Sequence, residues 1–225
     1  MEILTMKQYR HIWLLAVLSF LTSASYSQQD SRADKYLQAV SNQFDLNKAY
    51  VIRMDYIRED LMQETSAEGE GVIWMKGLKY KIMLEEYIVY YNEDKLYSQN
   101  TETEEVYVSE PDPDQPGYLQ AVPIKIIKAY EQDFNYMYIG NTPMLGKSLI
   151  EIQLYPKDIS GPYSMLKMFV NPGSQKLEVI QLKHKEGILY TMILSEMKVD
   201  PTLKESVFDF DPLAFPNTEI IELIE

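Results

Sequence analysis

The sequence contains no cysteine and only two histidines, and these shortages exclude several classes of protein. Without cysteine there is no disulfide framework, no thiolate nucleophile and no residue for lipid attachment. The histidines have no partner at a metal-binding spacing, and neither an HExxH motif nor a GxSxG motif occurs. The sequence therefore predicts no metal, no cofactor and no enzymatic activity.

An enzyme on this chain would need acid–base groups that converge in the fold. His184 lies in an alternating stretch, which predicts a position on a strand face. The carboxylate pairs Glu85–Glu86 and Asp209–Asp211 are the other candidates, and we expect them on solvated strand edges or loops.

Long hydrophobic runs are also missing. The longest, residues 12–21, has about half of the ~20 residues that a membrane-spanning helix needs. Lys7 and Arg10 precede it and small residues up to Ser27 follow it, which is the pattern of a signal peptide. We expect residues 1–27 to be this signal peptide and residues 28–225 to form one exported domain. An uncleaved N-terminal anchor is the alternative.

Positive charge is scarce, with 21 Lys and Arg against 34 Asp and Glu, a net charge of −13. Such a surface repels polyanions, because binding to nucleic acid depends on neutralising phosphates. Adsorption to an anionic membrane is disfavoured for the same reason. Nucleic acid and the membrane surface are therefore excluded as electrostatic partners.

Helical periodicity is confined to two segments. The first begins at Ser31, which with Asp34 resembles a capping box. The second follows Pro123, a residue that the first helical turn tolerates. Each helix has one apolar face, formed in the first by Ala33, Leu37, Val40 and Phe44, and in the second by Ile124, Ile127, Tyr130 and Phe134.

Alternation of apolar and polar residues predicts strands through most of the remaining chain. Short turns join these strands, which indicates an antiparallel meander of about ten or eleven strands. A sheet this large curls, and we expect the two helices to cover its concave face. The predicted strands are 50–56, 72–75, 80–84, 87–91, 95–98, 105–108, 136–139, 149–155, 166–170, 177–183 and 188–197, with a last extended segment at 220–224 and a Pro- and Asp-rich loop at 109–117.

Aromatic and methionine side chains are abundant, with 18 tyrosines and 12 methionines. Such residues suit adaptable binding surfaces, although they also serve as ordinary core. Several crowd into neighbouring hairpins, namely Trp74, Tyr80, Tyr87, Tyr90, Tyr91 and Tyr97.

The order of motifs along the chain resembles the LolA family of periplasmic lipoprotein carriers, from about Ser31 to Leu223. A helix leads into Tyr50-Val-Ile-Arg-Met-Asp-Tyr56, and the hairpin Gly69-Glu-Gly-Val-Ile-Trp-Met-Lys76 is followed by Tyr80-Lys-Ile82. The further pieces are Tyr91-Asn-Glu-Asp-Lys-Leu-Tyr97, Asn100-Thr-Glu-Thr-Glu-Glu-Val106, a helix led by proline, Val207-Phe-Asp-Phe210 and Glu219-Ile-Ile221.

This resemblance implies a mainly β (α+β) fold, an incomplete barrel with a helical lid whose apolar interior takes acyl chains. It implies a monomer that accepts acylated lipoproteins from an inner-membrane ABC-type transporter and delivers them across the periplasm to an acceptor at the outer membrane. A lipid or glycolipid carrier and an envelope-stress sensor on the same scaffold are the alternatives. We expect the cavity to be lined by Leu37, Phe44, Tyr50, Ile52, Met54, Tyr56, Trp74, Tyr80, Ile82, Leu84, Ile127 and Tyr130.

The sequence departs from the family pattern at one place that matters for the lid. Well-known members have an Arg-Pro pair directly after the lysine that matches Lys76, and the arginine helps to hold the lid. Gly77 and Leu78 stand there in this chain. We therefore expect the lid to be held by a different latch.

Overall fold

The computed structural model describes residues 30–111 and 123–223. The predicted signal peptide and residues 112–117 of the predicted loop lie outside these ranges. Within them, none of the helices combines the length and the apolar character that a bilayer crossing requires.

Twelve strands and three short α-helices make up the described chain. The helices are α1 (Ser31–Gln43), α2 (Pro123–Lys128) and α3 (Tyr130–Asp133), and a 3₁₀ helix spans Glu205–Phe208. The strands are β1 (Ala49–Asp60), β2 (Thr65–Lys76), β3 (Lys79–Met83), β4 (Tyr87–Tyr91), β5 (Leu96–Asn100), β6 (Glu105–Ser109), β7 (Phe134–Met144), β8 (Lys147–Pro156), β9 (Tyr163–Val170), β10 (Leu177–His184), β11 (Ile188–Val199) and β12 (Glu219–Glu222).

All twelve strands belong to one unclosed sheet in the order β12-β6-β5-β4-β3-β2-β1-β11-β10-β9-β8-β7. The predicted fold class is therefore confirmed, with the last extended segment adding the twelfth strand. That segment differs from the predicted antiparallel pattern, because β12 runs parallel to β6. The long connection from β11 crosses the sheet before β12 begins, so the chain arrives at the edge in the parallel sense.

The sheet is strongly curled. In the strand order β3 and β9 are five positions apart, which would separate them by roughly 24 Å in a flat sheet. Yet Tyr80 of β3 lies close enough to Tyr163 of β9 for their hydroxyls to interact electrostatically. The accumulated twist has therefore brought the two halves of the sheet to face each other across a trough.

Helix α1 buries Ala33, Leu37 and Val40 against the concave face, as its periodicity predicts. Its N-cap is Asp30 rather than Ser31, because the Asp30 carboxylate accepts a 3.1 Å hydrogen bond from the backbone N–H of Arg32. The predicted capping box is thus corrected by one residue. An aspartate at this position also favours the helix N-terminus electrostatically.

The second predicted helix is broken into α2 and α3. Ala129 leaves the helical conformation with φ −113° and ψ 19°, and Phe134 already begins strand β7. The apolar residues at helical spacing still lie together, since Ile127, Tyr130 and Phe134 are all buried in the same core. Helical periodicity therefore predicted the buried face correctly and the element boundary wrongly.

Two smaller clusters lie on the outer face of the sheet. One contains Ile88, Tyr90 and Val106, which the returning C-terminal segment covers with Phe210 and Phe215. The other consists of buried Leu149, Phe169 and Val179, with Met144 and Ile193 packed at its border. Both faces of the sheet are therefore partly apolar, but the main core lies between the sheet and the helices.

Candidate functional site

The concave face of the sheet is the main candidate site. Alternate residues of β1 point into it, and Tyr50, Ile52 and Met54 are at most 5% exposed. Register pairs Tyr50 with Met75 and Ile52 with Ile73, so the same face continues across β2. From there it runs through Tyr80 and Ile82 of β3, which pair with Met75 and Ile73.

Most of the predicted lining residues come together on this side of the sheet. The core cluster contains seven of them outright, and Ile82 packs against it. Phe44 closes the C-terminal end of α1 and lies 5.9 Å from the Tyr50 ring centre. The seven are Leu37, Phe44, Tyr50, Ile52, Tyr80, Ile127 and Tyr130.

Two glycines make room for the remaining aromatic and aliphatic lining. A Cβ on Gly69 would lie 2.8 Å from the Tyr56 hydroxyl, and one on Gly71 would lie 2.8 Å from Met54 Cε and 2.9 Å from Leu84 Cδ2. Tyr56, Met54 and Leu84 therefore lie over the glycine backbone on the concave face. The Gly-x-Gly motif thus gives these three side chains the space they occupy over the strand.

Trp74 is placed on the opposite face from the other predicted residues. It lies between Ile73 and Met75, which point inward, and it pairs with Lys81 of β3. The Lys81 ammonium lies 5.6 Å from the Trp74 ring and 4.7 Å from the Tyr90 ring, and burial lowers the pKa of this lysine. Trp74 therefore forms part of an aromatic platform on the outer face.

Several lining residues were not among the predicted ones. They share two properties: each packs against the core cluster, and each keeps part of its surface exposed. Apolar residues follow one another in most of their strands, so alternation alone does not identify them. They are Ile73, Val89, Leu96, Ile180, Leu182 and Leu194.

The floor of the trough carries no charge over most of its length. In β1 to β3 and β9 to β11, the inward positions are uncharged until Arg58 and Asp60 at the far end of β1. Burial raises the pKa of Tyr80 and of Tyr163, which keeps both hydroxyls protonated. The surface offered to a ligand is therefore apolar with a few neutral hydroxyl groups.

Helix α1 is attached to the sheet by polar contacts at each end. At the N-terminal end the Tyr136 hydroxyl donates to the Asp34 carboxylate, and the Arg32 guanidinium lies 4.8 Å from the Tyr138 ring. Burial, followed by the Asp34 hydrogen bond, raises the pKa of Tyr136, so its hydroxyl remains a donor.

At the C-terminal end the side chain of Gln43 bridges to the β9–β10 turn. Its amide donates to the Gln175 carbonyl at 2.9 Å, and its oxygen accepts from the Leu177 N–H at 3.4 Å. The Lys128 ammonium donates to the Ser41 carbonyl at 2.6 Å and joins α2 to α1. Gly77 and Leu78, at the positions where the family that this chain resembles has an Arg-Pro pair, form a turn with φ +62° at Gly77 and a core contact through Leu78.

The alternative catalytic candidates do not converge. Glu85 and Glu86 are exposed in the β3–β4 turn. Asp209 accepts a 2.9 Å hydrogen bond from the Asn92 side chain, and Asp211 accepts one from the Leu213 N–H. His184 lies at the rim with its ring edge-on to Tyr163 at 5.7 Å.

A metal site and a cleft between the helices are the other two kinds of candidate site in the described ranges. Residues 30–111 and 123–223 contain no cluster of three or more His, Asp or Glu side chains arranged to hold a metal ion. A cleft of about 350 Å³ lies between α1 and the α2–α3 pair. Its lining is mostly polar and includes Gln38, Asn42 and Lys128, so it does not suit an apolar ligand.

No protein-family model and no curated protein matches this sequence significantly. Among solved structures, an uncharacterized conserved protein from Thermus thermophilus aligns with a TM-score of 0.53 and 8% identity, over 86% of this chain and 100% of its own. That alignment shows a shared fold.

Two other solved structures align at lower TM-scores. An outer membrane lipoprotein-sorting protein domain from Vibrio parahaemolyticus has a TM-score of 0.43 and 10% identity, over 79% of this chain and 97% of its own. A LolA superfamily protein from Nitrosomonas europaea has a TM-score of 0.42 and 12% identity, with the same two coverages.

Proposed function

We propose that this chain is a non-enzymatic periplasmic carrier that binds the acyl chains of lipoproteins in its trough and moves them from the inner to the outer membrane. One observation carries the proposal. A row of apolar side chains that includes Ile82, Leu182 and Leu194 packs against the core yet remains partly exposed on an uncharged concave face. Contiguous, partly exposed apolar surface of this kind is typical of a groove that binds an apolar ligand or partner.

The energetics of acyl transfer require a surface of this kind. Moving an acyl chain of ~15 methylenes into water costs on the order of 12 kcal/mol. Spontaneous passage across an aqueous compartment is therefore negligible, and a carrier must supply comparable apolar contact. A curved sheet with a row of half-buried aliphatic side chains supplies that contact without a fixed, fully enclosed pocket.

Release requires the same contacts to be reversible, and α1 provides the means. Its buried face consists of only Ala33, Leu37 and Val40, and its polar attachments are a few hydrogen bonds and ring contacts. When an acyl chain takes the place of these side chains, one set of apolar contacts replaces another. Loading and unloading then involve a small net change in free energy.

The wider assignments rest on the signal-peptide pattern and on the resemblance to the carrier family. Export through residues 1–27 would deliver residues 28–225 to the periplasm, where an inner-membrane ABC-type transporter would supply the cargo. An outer-membrane acceptor would receive it. The net charge of −13 keeps the carrier soluble and away from anionic lipid surfaces between these steps.

A charge placed in the trough tests the proposal. We expect Ile82→Glu to weaken acyl-chain binding by roughly 100-fold or more, because a buried carboxylate would have to lose its hydration against hydrocarbon. The measurement is binding of a fluorescent fatty acid, together with native mass spectrometry of acylated cargo retained by the purified protein.

Met83→Glu is the matched control. Met83 is the next residue of the same strand, faces the other side of the sheet and is 38% exposed. Its substitution should leave binding unchanged. Equal binding by Ile82→Glu and the unmodified protein would refute the assignment of the trough, and a retained free lipid or glycolipid would identify a different cargo.

A further inference from the structure

Strand β11 is paired along its whole length on one side only. Eleven of its twelve residues, all but Ser195 in the range Ile188–Val199, pair with β1. On the other side, β10 pairs only with residues 189–193. From Leu194 to Val199 the strand therefore has an open edge, which lies beside the trough.

The direction of the backbone groups at this edge follows from one hydrogen bond. Asp200 donates its N–H to the Ala49 carbonyl, so the pair Asp200–Ala49 is hydrogen-bonded. Because backbone groups alternate along an antiparallel ladder, Lys198 also faces β1, whereas Met197 and Val199 direct their N–H and C=O away from it. No residue in the described part of the chain pairs with these outward groups.

The side chains at the edge are apolar and exposed. Met197 and Val199 are 39% and 53% exposed, whereas their partners across the ladder, Ile52 and Tyr50, are 4% and 5% exposed. These four side chains share the concave face, so the apolar lining of the trough continues to the edge through Leu194. The edge is thus continuous with the surface proposed to hold the acyl chain.

Two of the features that usually protect a free strand edge, proline and inward-pointing charge, are missing from this one. It has no proline, and its charged side chains point to the outer face, where Glu196 pairs with Lys198 at 2.7 Å and with Arg53 at 3.6 Å. A bulge at Ser195 precedes Met197, but the ladder with β1 is regular beyond it.

We propose that the open edge Leu194–Val199 pairs with an extended peptide segment of the acylated cargo, directly beside the acyl chain in the trough. This inference rests on the proposed carrier function. Extended peptide is the occupant that fits, because unpaired donors and acceptors at a two-residue spacing accept a strand, whereas hydrocarbon leaves them unsatisfied. The acyl chain would lie along the lining near Leu194 while its peptide extends along β11.

The test compares two probes on the ligand-free protein: a hexapeptide of alternating threonine and serine that carries an N-terminal palmitoyl chain, and palmitic acid alone. Binding by isothermal titration should be about tenfold tighter for the lipopeptide, the gain from a few backbone hydrogen bonds. Amide hydrogen exchange at Met197 and Val199 should slow with the lipopeptide and not with palmitic acid, while Lys198 is protected throughout.

Met197→Pro removes an outward N–H without touching the ladder to β1, and should abolish the tenfold preference for the lipopeptide, so that both probes bind this variant with equal affinity. Met197→Ala, which shortens the same side chain but keeps the N–H, should retain most of it. If the proline variant fails to fold, the exchange experiment on the unmodified protein decides.

Other results would overturn the inference. Equal affinity for the two probes, or unchanged exchange at Met197 and Val199, would refute strand pairing and leave the carrier function standing. Failure of the unmodified protein to bind either probe would refute both. A ligand-free dimer with these amides already protected would assign the edge to a second copy of the chain.

Discussion

The two faces of the sheet bury their apolar side chains in different ways. On the outer face Leu149, Phe169 and Val179 are at most 2% exposed, and the chain's own C-terminal segment covers the second cluster with Phe210. On the concave face, residues such as Ile82 and Leu182 pack against the core but stay partly exposed under short helices. Both faces use the same residue types, so composition does not separate them.

Under the proposed carrier function, the difference separates a permanently covered surface from an exchangeable one. The outer cover is one continuous segment, fixed by a stacked Phe210–Phe215 pair and by the Glu205 bridges to Lys76 and Lys79. The concave cover is assembled from separate helices with few polar attachments. The outer face therefore stabilises the fold, whereas the concave face retains the freedom that ligand exchange needs.

The largest expected effect is a loss of stability when the cover of the outer face is weakened. Phe210→Ala should lower the free energy of unfolding by about 4 kcal/mol, because it opens a cavity against Tyr90, Tyr97 and Phe215. Chemical denaturation measures the loss. Acyl-chain affinity at a temperature where the variant is folded should stay within a factor of two. A large loss of affinity in the folded variant would show that the two faces are coupled.

An intermediate effect is expected where the lid is attached. Tyr136→Phe removes the hydrogen bond to Asp34 and should lower the free energy of unfolding by about 1.5 kcal/mol. It should also strengthen acyl-chain binding by up to about tenfold, since less free energy is needed to displace α1. Fatty-acid titration measures this change.

Tyr155→Phe is the control for the loss of the Tyr136–Asp34 hydrogen bond. Tyr155 lies on β8, and its hydroxyl donates to the Gln153 side chain at 2.6 Å, away from the lid. Neither stability nor affinity should change appreciably. If Tyr136→Phe weakened binding instead, α1 would be a fixed wall of the site rather than a movable cover.

The smallest effect concerns pH. Burial alone raises the pKa of Glu151 on the outer face, but hydrogen bonds from Gln153, Lys167 and Thr142 outweigh it and bring the pKa below its usual value. The carboxylate therefore stabilises the fold at neutral pH, and this contribution is lost as the pH falls through the lowered pKa.

Thermal unfolding between pH 7 and pH 3 tests this. We expect Glu151→Gln to be less stable than the unmodified protein by about 1 kcal/mol at pH 7 and equally stable at the acid end. Affinity of the folded protein for an uncharged acyl probe should not change over the same range, because the trough is uncharged over most of its length. A constant stability difference at all pH values would contradict the role given to the Glu151 charge.

The sequence was most informative where one face of a strand is buried and the other is solvated. In β1, the residues Tyr50, Ile52, Met54 and Tyr56 alternate with Arg53 and Asp55, so the concave face could be predicted from a period of two. In Ile73-Trp74-Met75 three apolar residues follow one another, so alternation does not predict on which face of the sheet Trp74 lies. Its true position depends on Lys81 and Tyr90, which belong to other strands.

Features that depend on distant partners could not be predicted. The helix break at Ala129 arises where Phe134 joins β8 as a strand, a pairing that outweighs local periodicity. The open edge of β11 begins where β10 stops pairing with it, and apolar residues occur on both sides of that point in the β11 sequence. The number of residues over which two strands pair depends on both strands, so the sequence of one strand does not predict it.

The parallel strand β12 has a consequence for the order in which the protein folds. Its partner β6 ends more than 100 residues earlier in the chain, and the segment that covers Ile88, Tyr90 and Val106 lies immediately before β12. During synthesis the first six strands are therefore complete long before their cover exists, and contacts this distant in sequence form slowly. The C-terminal segment is therefore the last part to pack onto the outer face. A chain truncated before Phe210 would contain eleven of the twelve strands but leave the apolar surface of Ile88, Tyr90 and Val106 exposed and prone to aggregation.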